Sequence, residues 1–178
     1  MKSPCLSITP LSPPLEEFRV LAQRGNLVPV YAELPADLDT PLSAFLRLRP
    51  GPYAFLLESV EGGEKWARYS FLGSDPLMVF TARGNRVTLR GHEGKAERLP
   101  PGNPLRALRE LLARFHPVAV PGLPRFQGGA VGYMSYDMVR LVENLPDNNP
   151  DVIGVPDGIF MRPTVMAAFD NVNGTLTA

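Results

Sequence analysis

The sequence has 178 residues, and its 18 basic and 18 acidic side chains cancel to a formal net charge of zero. With 44% hydrophobic and 20% charged residues, it has the composition of a globular domain, or part of a larger one, that can bury a sizeable core. No cluster of Lys and Arg stands out, which argues against a nucleic-acid partner.

The cysteine content and the hydropathy pattern indicate the cellular setting. Cys5 is the single cysteine of the sequence, so neither an internal disulfide nor a CxxC metal site can form. No apolar run approaches the roughly 18 residues needed to cross a bilayer, and no secretion signal is visible. We therefore expect a cytoplasmic protein without a membrane partner.

Two helices and an intervening strand are predicted in the N-terminal part of the sequence. Ser12-Pro13-Pro14 favours a helix start with the serine as cap, and Gly25 favours its end. Leu27–Glu33 alternates as in a strand, whose internal proline places it at a sheet edge. A second helix is predicted to begin at Thr40-Pro41. The side chains expected to face the core are Leu15, Phe18, Leu21 and Ala22 of the first helix and Leu42, Phe45 and Leu46 of the second.

A β-hairpin is predicted from Tyr53 to Gly73, with its turn at Gly62-Gly63. Its first run is apolar on both faces up to Leu57, which is typical of a strand covered on both sides. Polar groups enter only at Glu58 and Ser59. We therefore expect a ligand, if one binds, at this end of the strand.

The polar groups of this hairpin suit the two ends of a free amino acid. Glu58 can accept hydrogen bonds from an ammonium group, while Ser59 and Arg68 can donate to a carboxylate. The same residues also fit the solvated rim of a hairpin, and their spacing alone favours that interpretation.

A second hairpin, a helix and a glycine-rich segment are predicted further along the chain. Leu77–Ala82 is expected to pair with Val87–Arg90 across a turn at Gly84-Asn85. Asn103-Pro104 begins the clearest helix, which has a leucine-rich face. Glycines at 128, 129 and 132 interrupt a strand-like run and indicate either a β-bulge or the close approach of another backbone.

The last segment predicts an incomplete hairpin. Gly158–Asp170 has the pattern of a long apolar strand, Asn173-Gly174 is a strong turn signal, and only four residues follow. Because a barely begun return strand leaves edge groups unpaired, we expect the chain to be a truncated N-terminal piece of a longer protein. The expected fold class is mixed α/β (α+β), with mainly antiparallel sheets and outer helices.

Several separated segments of the sequence form an ordered set of motifs. They are Val28-Pro29-Val30-Tyr31 with Leu34-Pro35-Ala36-Asp37, Thr40-Pro41 with Ser43-Ala44-Phe45, Phe55-Leu56-Leu57-Glu58-Ser59-Val60, Arg68-Tyr69-Ser70-Phe71-Leu72-Gly73, and Gly128-Gly129-Ala130-Val131-Gly132-Tyr133 with Ser135-Tyr136-Asp137. Together these segments resemble the N-terminal region of anthranilate synthase component I, over nearly all of residues 12 to 178. The resemblance implies that residues 1–178 are the N-terminal domain of that family, forming part of a two-sheet sandwich, without the chorismate-binding C-terminal domain.

The resemblance also implies half of a site where L-tryptophan binds as a feedback inhibitor. In that site Glu58 would take the ammonium group and Ser59 would help to bind the amino-acid head. Leu57, Pro41 and Arg68 would line the pocket. The residues that complete the pocket would come from the absent domain.

The family reaction converts chorismate and ammonia to anthranilate and pyruvate in tryptophan biosynthesis, with magnesium. Ammonia comes from glutamine through an amidotransferase subunit, component II. The resemblance places the catalytic and magnesium-binding residues in the C-terminal domain. No catalytic or metal residue is therefore assigned within this chain.

Two other functions remain open at this point. The first is the N-terminal region of aminodeoxychorismate synthase component I, although Val28–Leu48 is more similar to the anthranilate branch. The second is a regulatory module that binds an amino acid and has no enzyme attached.

Overall fold

The structure is a computed structural model that describes residues 9–48, 51–58, 68–92 and 94–178. The helices are α1 (Leu15–Leu21), α2 (Pro41–Arg47) and α3 (Pro104–Leu112), with a 3₁₀ helix at Tyr136–Leu141. The strands are β1 (Glu33–Pro35), β2 (Ala54–Leu57), β3 (Tyr69–Arg83), β4 (Arg86–Gly91), β5 (Ala96–Arg98), β6 (Val131–Met134), β7 (Gly158–Asp170) and β8 (Thr175–Thr177).

These strands form one antiparallel sheet in the order β1-β8-β7-β3-β4-β5, with β2 also paired to β3 and β6 also paired to β7. The centre of the sheet is the pair β3 and β7, whose register runs from Tyr69 opposite Asp170 to Ala82 opposite Gly158. The predicted α+β class with antiparallel pairing is confirmed. The second sheet of the expected sandwich stays a prediction.

The N-terminal segment differs from its prediction in the helix cap and in the strand. Pro14 precedes α1 without a side-chain cap, and Ser12 instead exchanges two backbone hydrogen bonds of 2.7 Å with Tyr31. Leu15 is 62% exposed, so its predicted burial is wrong. The strand predicted at Leu27–Glu33 is reduced to isolated bridges, because the internal proline cannot donate to a ladder. The regular strand β1 begins only at Glu33 and lies at the sheet edge.

The second helix begins at Pro41 and packs through Phe45 as predicted, but its other two predicted core residues are exposed. Thr40 and Ser43 form a reciprocal capping box, with hydrogen bonds of 3.1 and 3.0 Å between side chain and backbone. Leu42 and Leu46 are 55% and 66% exposed, so their predicted burial is wrong. The residues that pack against the sheet are Ala44, Phe45 and Leu48, which share one face at helical spacing.

The second hairpin and the third helix are confirmed. Gly84 has a φ of 54° in the turn between β3 and β4, a conformation that suits glycine. Asn103 Oδ1 accepts hydrogen bonds from the first amides of α3, at 2.9 and 3.3 Å. Leu108 and Leu111 of α3 are buried in a core cluster with Phe80 of β3.

The segment Gly73–Pro76 continues β3 instead of separating two hairpins. The register between β3 and β7 shifts between Pro76 and Met78, which marks a β-bulge. Asp75, beside the bulge, has a φ of 51°. The bulge absorbs one extra residue, so that β3 remains paired along its whole length.

Gly132 confirms the predicted close approach of another backbone. It lies in β6 opposite Phe160 of β7. A Cβ atom at this position would stand 1.8 Å from the carbonyl oxygen of Ile159, which no real structure allows. Any side chain at this position would therefore separate the two strands.

We expect Gly132→Ala to lower the free energy of unfolding by about 2 kcal/mol or more, because β6 and β7 must move apart. Urea unfolding measures this change. Gly102→Ala is the matched control, since its Cβ would meet no atom nearer than 3.9 Å, and its effect should stay within about 0.5 kcal/mol. Equal losses in the two variants would contradict the close approach.

Candidate functional site

The predicted first hairpin is present as the antiparallel pair β2 and β3, with Leu57 opposite Phe71. Successive residues of β2 pack on opposite faces of the sheet. Phe55 belongs to a core cluster with Val79 and Met161. Leu56 packs with Leu72, Ala167 and Phe169. The strand is therefore covered on both sides before it reaches its polar end, as the sequence predicts.

The end of β2 presents a free carboxylate. Leu57 is 48% exposed, and the exposed Glu58 follows it directly. Within the described ranges, Glu58 forms neither a hydrogen bond nor an ion pair. Ser59 lies outside the described residues. Glu58 can therefore accept a hydrogen bond from a ligand without losing a partner among the described residues.

Pro41 is the half-buried first residue of α2. This helix packs on Leu56 and Leu72 through residues of its next two turns. The fold thus places the helix that begins with Pro41 against the strand that ends just before Glu58.

Arg68 has a partner that sequence reasoning missed, the carboxylate of Asp170. Arg68 Nε donates to both carboxylate oxygens at 3.1 Å, and Nη2 donates to Oδ2 at 2.7 Å. The Arg68 guanidinium also lies 5.0 Å from the centre of the Tyr69 ring. These contacts fix the position of the guanidinium at the start of β3.

Asp170 joins this ion pair to the turn that follows β7. Its Oδ1 accepts from the amides of Val172 and Asn173 at 3.1 and 3.2 Å, and its Oδ2 accepts from the Asn173 side chain at 2.9 Å. The Arg68 hydrogen bond is the main reason that the pKa of Asp170 lies below its ordinary value. Burial opposes this change, while the two backbone amides support it. Conversely, the hydrogen bond to Asp170 raises the pKa of Arg68.

The pair leaves part of the guanidinium free to bind a further anion. Arg68 has five N–H donors, and only those on Nε and Nη2 point at Asp170. Its side chain is 40% exposed. The Nη1 group donates to no acceptor among the residues that the structure describes. A ligand carboxylate can therefore bind an arginine that Asp170 already orients.

The described part of the chain offers no built metal site and no membrane span. No group of three or more His, Cys, Asp or Glu side chains comes together in residues 9–48, 51–58, 68–92 and 94–178. In the same ranges, no helix has the length and apolar character required to span a bilayer.

Comparison with known proteins identifies the relatives of this chain. No protein-family model matches it. It is 41% identical over 160 residues to "Anthranilate synthase component 1" of Acetivibrio thermocellus, and 44% identical over 170 residues to the protein of that name from Synechocystis. The resemblance to anthranilate synthase component I is confirmed. The matches span 90% and 94% of this chain, but only 32% and 33% of these two relatives.

A solved structure gives the same result for the fold. Anthranilate synthase component I from Streptococcus pneumoniae TIGR4 matches with a TM-score of 0.50 and 27% sequence identity. The match covers 80% of this chain and 30% of that chain. The chain thus spans about one third of the length of the curated relatives that it matches.

The Asp170 ion pair makes stability depend on pH. Because the folded state lowers the pKa of Asp170, the contribution is complete above the pKa of an unfolded aspartate and is lost as the pH falls through the lower folded value. We expect Asp170→Asn to lower the free energy of unfolding by about 1–3 kcal/mol at pH 7. The difference from the unchanged chain should shrink below about pH 4, which urea unfolding at several pH values measures.

Glu16→Gln is the control for this prediction. Glu16 pairs with Arg19 at 2.9 Å on the surface of α1, and both side chains are largely exposed. Its loss should change the free energy of unfolding by less than about 1 kcal/mol. A deficit for Asp170→Asn that stays constant from pH 7 to pH 3 would show that ionisation of Asp170 is not involved.

Proposed function

We propose that residues 1–178 are the N-terminal regulatory domain of an anthranilate synthase component I, a cytoplasmic lyase. The parent protein would convert chorismate and ammonia or glutamine to anthranilate and pyruvate in tryptophan biosynthesis. Identities of 41% and 44% to relatives of that name support this proposal. Chorismate and magnesium would bind to the C-terminal part of the parent, and a glutamine amidotransferase, component II, would be its partner.

The observation that carries the proposal is the presence of two complementary groups at the first hairpin. One is the exposed carboxylate that follows β2, and the other is the oriented arginine at the start of β3. Glu58 has no partner among the described residues, and Arg68 keeps donors that Asp170 does not use. A free amino acid carries the two groups that complement them, an ammonium and a carboxylate. The ligand of this half-site would be L-tryptophan acting as inhibitor.

In this site Glu58 would bind the ammonium group and Ser59 would bind the amino-acid head. Arg68 would bind the carboxylate, and Leu57 and Pro41 would contact the indole ring. Because Asp170 already holds Arg68 in place, tryptophan binding would immobilise little of that side chain.

Tight binding of tryptophan at the half-site requires the rest of the parent protein. An indole that lies on one wall only leaves its other face in water and forgoes about 25 cal/mol per Å² of apolar surface. Tryptophan would therefore bind between this domain and the catalytic domain. For inhibition to follow, it must bind the less active arrangement of the two domains more tightly than the active one.

Tryptophan inhibition of the full-length parent tests the site. We expect Glu58→Ala and Ser59→Ala each to raise the half-inhibitory tryptophan concentration about tenfold or more, since each removes a hydrogen bond to a charged group. The uninhibited kcat should stay unchanged, because neither residue belongs to the catalytic domain.

Glu97→Ala, in the exposed strand β5, is the matched control and should keep normal inhibition. Unchanged inhibition in both Glu58→Ala and Ser59→Ala would refute the half-site.

Identification of the product tests the reaction: formation of aminodeoxychorismate instead of anthranilate would assign the parent to folate synthesis. A reading frame with no catalytic domain would instead identify a separate regulatory module.

A further inference from the structure

A cleft with two chambers, which we call the arginine cleft, lies between β7 and two irregular segments, residues 27–31 and 115–129. The first chamber has a volume of about 480 Å³ and the second about 400 Å³. Each volume suits a small molecule. The residues that line both chambers are Leu27, Pro29, Gln127, Gly128, Gly129 and Arg162. Neither Glu58 nor Arg68 lines either chamber, so this cleft is distinct from the hairpin site.

The charged side chains that line the arginine cleft are all positive. Arg162 borders both chambers and Arg125 borders the second, whereas no aspartate or glutamate lines either one. Neither arginine forms an ion pair within the described residues. Since Arg162 is half-buried, part of its hydration is lost without a compensating anion. An anionic group in the cleft would supply that compensation.

Phe115 holds the Arg162 guanidinium in place. The Cζ atom of Arg162 lies 4.0 Å from the centre of the Phe115 ring. A cation stacked over a ring in this way is attracted by the π electrons. The N–H donors at the edge of the guanidinium remain available, and their fork matches the two oxygens of a carboxylate.

The glycine segment adds donors beside Arg162. Gly128 and Gly129 have φ values of 141° and 131°, which side chains strongly disfavour. A Cβ atom on Gly128 would meet nothing within 4 Å, so the backbone borders open space there. Over the described ranges, the amides of these two glycines donate to no backbone carbonyl, and the Gln127 side chain makes no hydrogen bond.

We propose that the arginine cleft binds a small carboxylate with a flat apolar body. The carboxylate accepts from Arg162 and from the Gly128–Gly129 backbone. The apolar body lies against Leu27, Leu112 and Val118 of the second chamber. This inference rests on the cleft alone and does not depend on the proposed function.

Isothermal titration calorimetry of the 178-residue chain with 2-naphthoate tests this inference. The neutral analogue 2-naphthamide has the same body without the charge, and we expect it to bind about tenfold more weakly or worse. Arg162→Gln should weaken naphthoate binding by a similar factor and leave naphthamide binding unchanged. Arg162→Lys keeps the charge but loses the fork, so its affinity should fall between the two.

Arg98→Gln removes the same charge from β5, outside both chambers, and is the matched control. Thermal unfolding of each variant establishes that it is folded. If Arg162→Gln does not fold, the affinity of Arg162→Lys for naphthoate and the comparison of naphthoate with naphthamide still test the inference. Glu58→Ala should not change naphthoate binding, which separates this inference from the proposed function.

Four results would overturn the inference. The first is equal affinity for naphthoate and naphthamide. The second is no binding of naphthoate at millimolar concentration. The third is equal affinity of Arg162→Gln and Arg98→Gln for naphthoate. The fourth is binding by this chain but not by the full-length parent, which would mean that the remaining polypeptide covers the cleft.

Discussion

The pairing of β3 with β7 is the constraint on which the rest of the structure depends. The two strands are paired from Tyr69 opposite Asp170 to Ala82 opposite Gly158, with one shift of register at the β-bulge. Strands β2 and β4 attach to β3, and β6 and β8 attach to β7. Because such long-range pairs are formed by residues about one hundred positions apart, no local segment can fold into this arrangement alone.

The same pairing separates the two candidate sites. Asp170, at the end of β7, orients Arg68 beside the polar end of the first hairpin. Arg162 lies eight positions earlier on β7, at the arginine cleft. At about 3.3 Å per residue, the two positions are roughly 26 Å apart along the strand. Strand β7 thus carries both Asp170, whose ion pair with Arg68 links two chain segments, and Arg162, which has no anionic partner among the described residues.

The sequence predicts those features that depend on neighbouring residues. Asn103 caps α3 and Gly84 forms a turn. Both can be predicted because each depends only on residues within three positions of it in the chain. The bounds of β7 follow from a largely apolar run between two turn signals. Local signals of the same kind place the starts of α2 and α3.

Features that depend on distant segments are not visible in the sequence. Nothing near Arg68 identifies Asp170 as its partner, since the pair forms only when β3 lies beside β7. The prediction for α2 is right for Phe45 only, because that helix has apolar residues on several sides and the sheet selects Ala44, Phe45 and Leu48. Ser12 has the chemistry of a cap, but its backbone pairs with Tyr31 instead.

The bulge in β3 changes how the side chains on either side of it match the neighbouring strand. Pro76 lies opposite Pro163 and Met78 lies opposite Arg162, so β3 advances two residues where β7 advances one. Because side chains alternate along a strand, the extra residue near Leu77 shifts the alternation of β3 relative to that of β7. The apolar residues of β3 before and after this point therefore match the faces of β7 only while the extra residue is present. A one-residue deletion at this point would turn one part of β3 over and direct its apolar side chains away from the core.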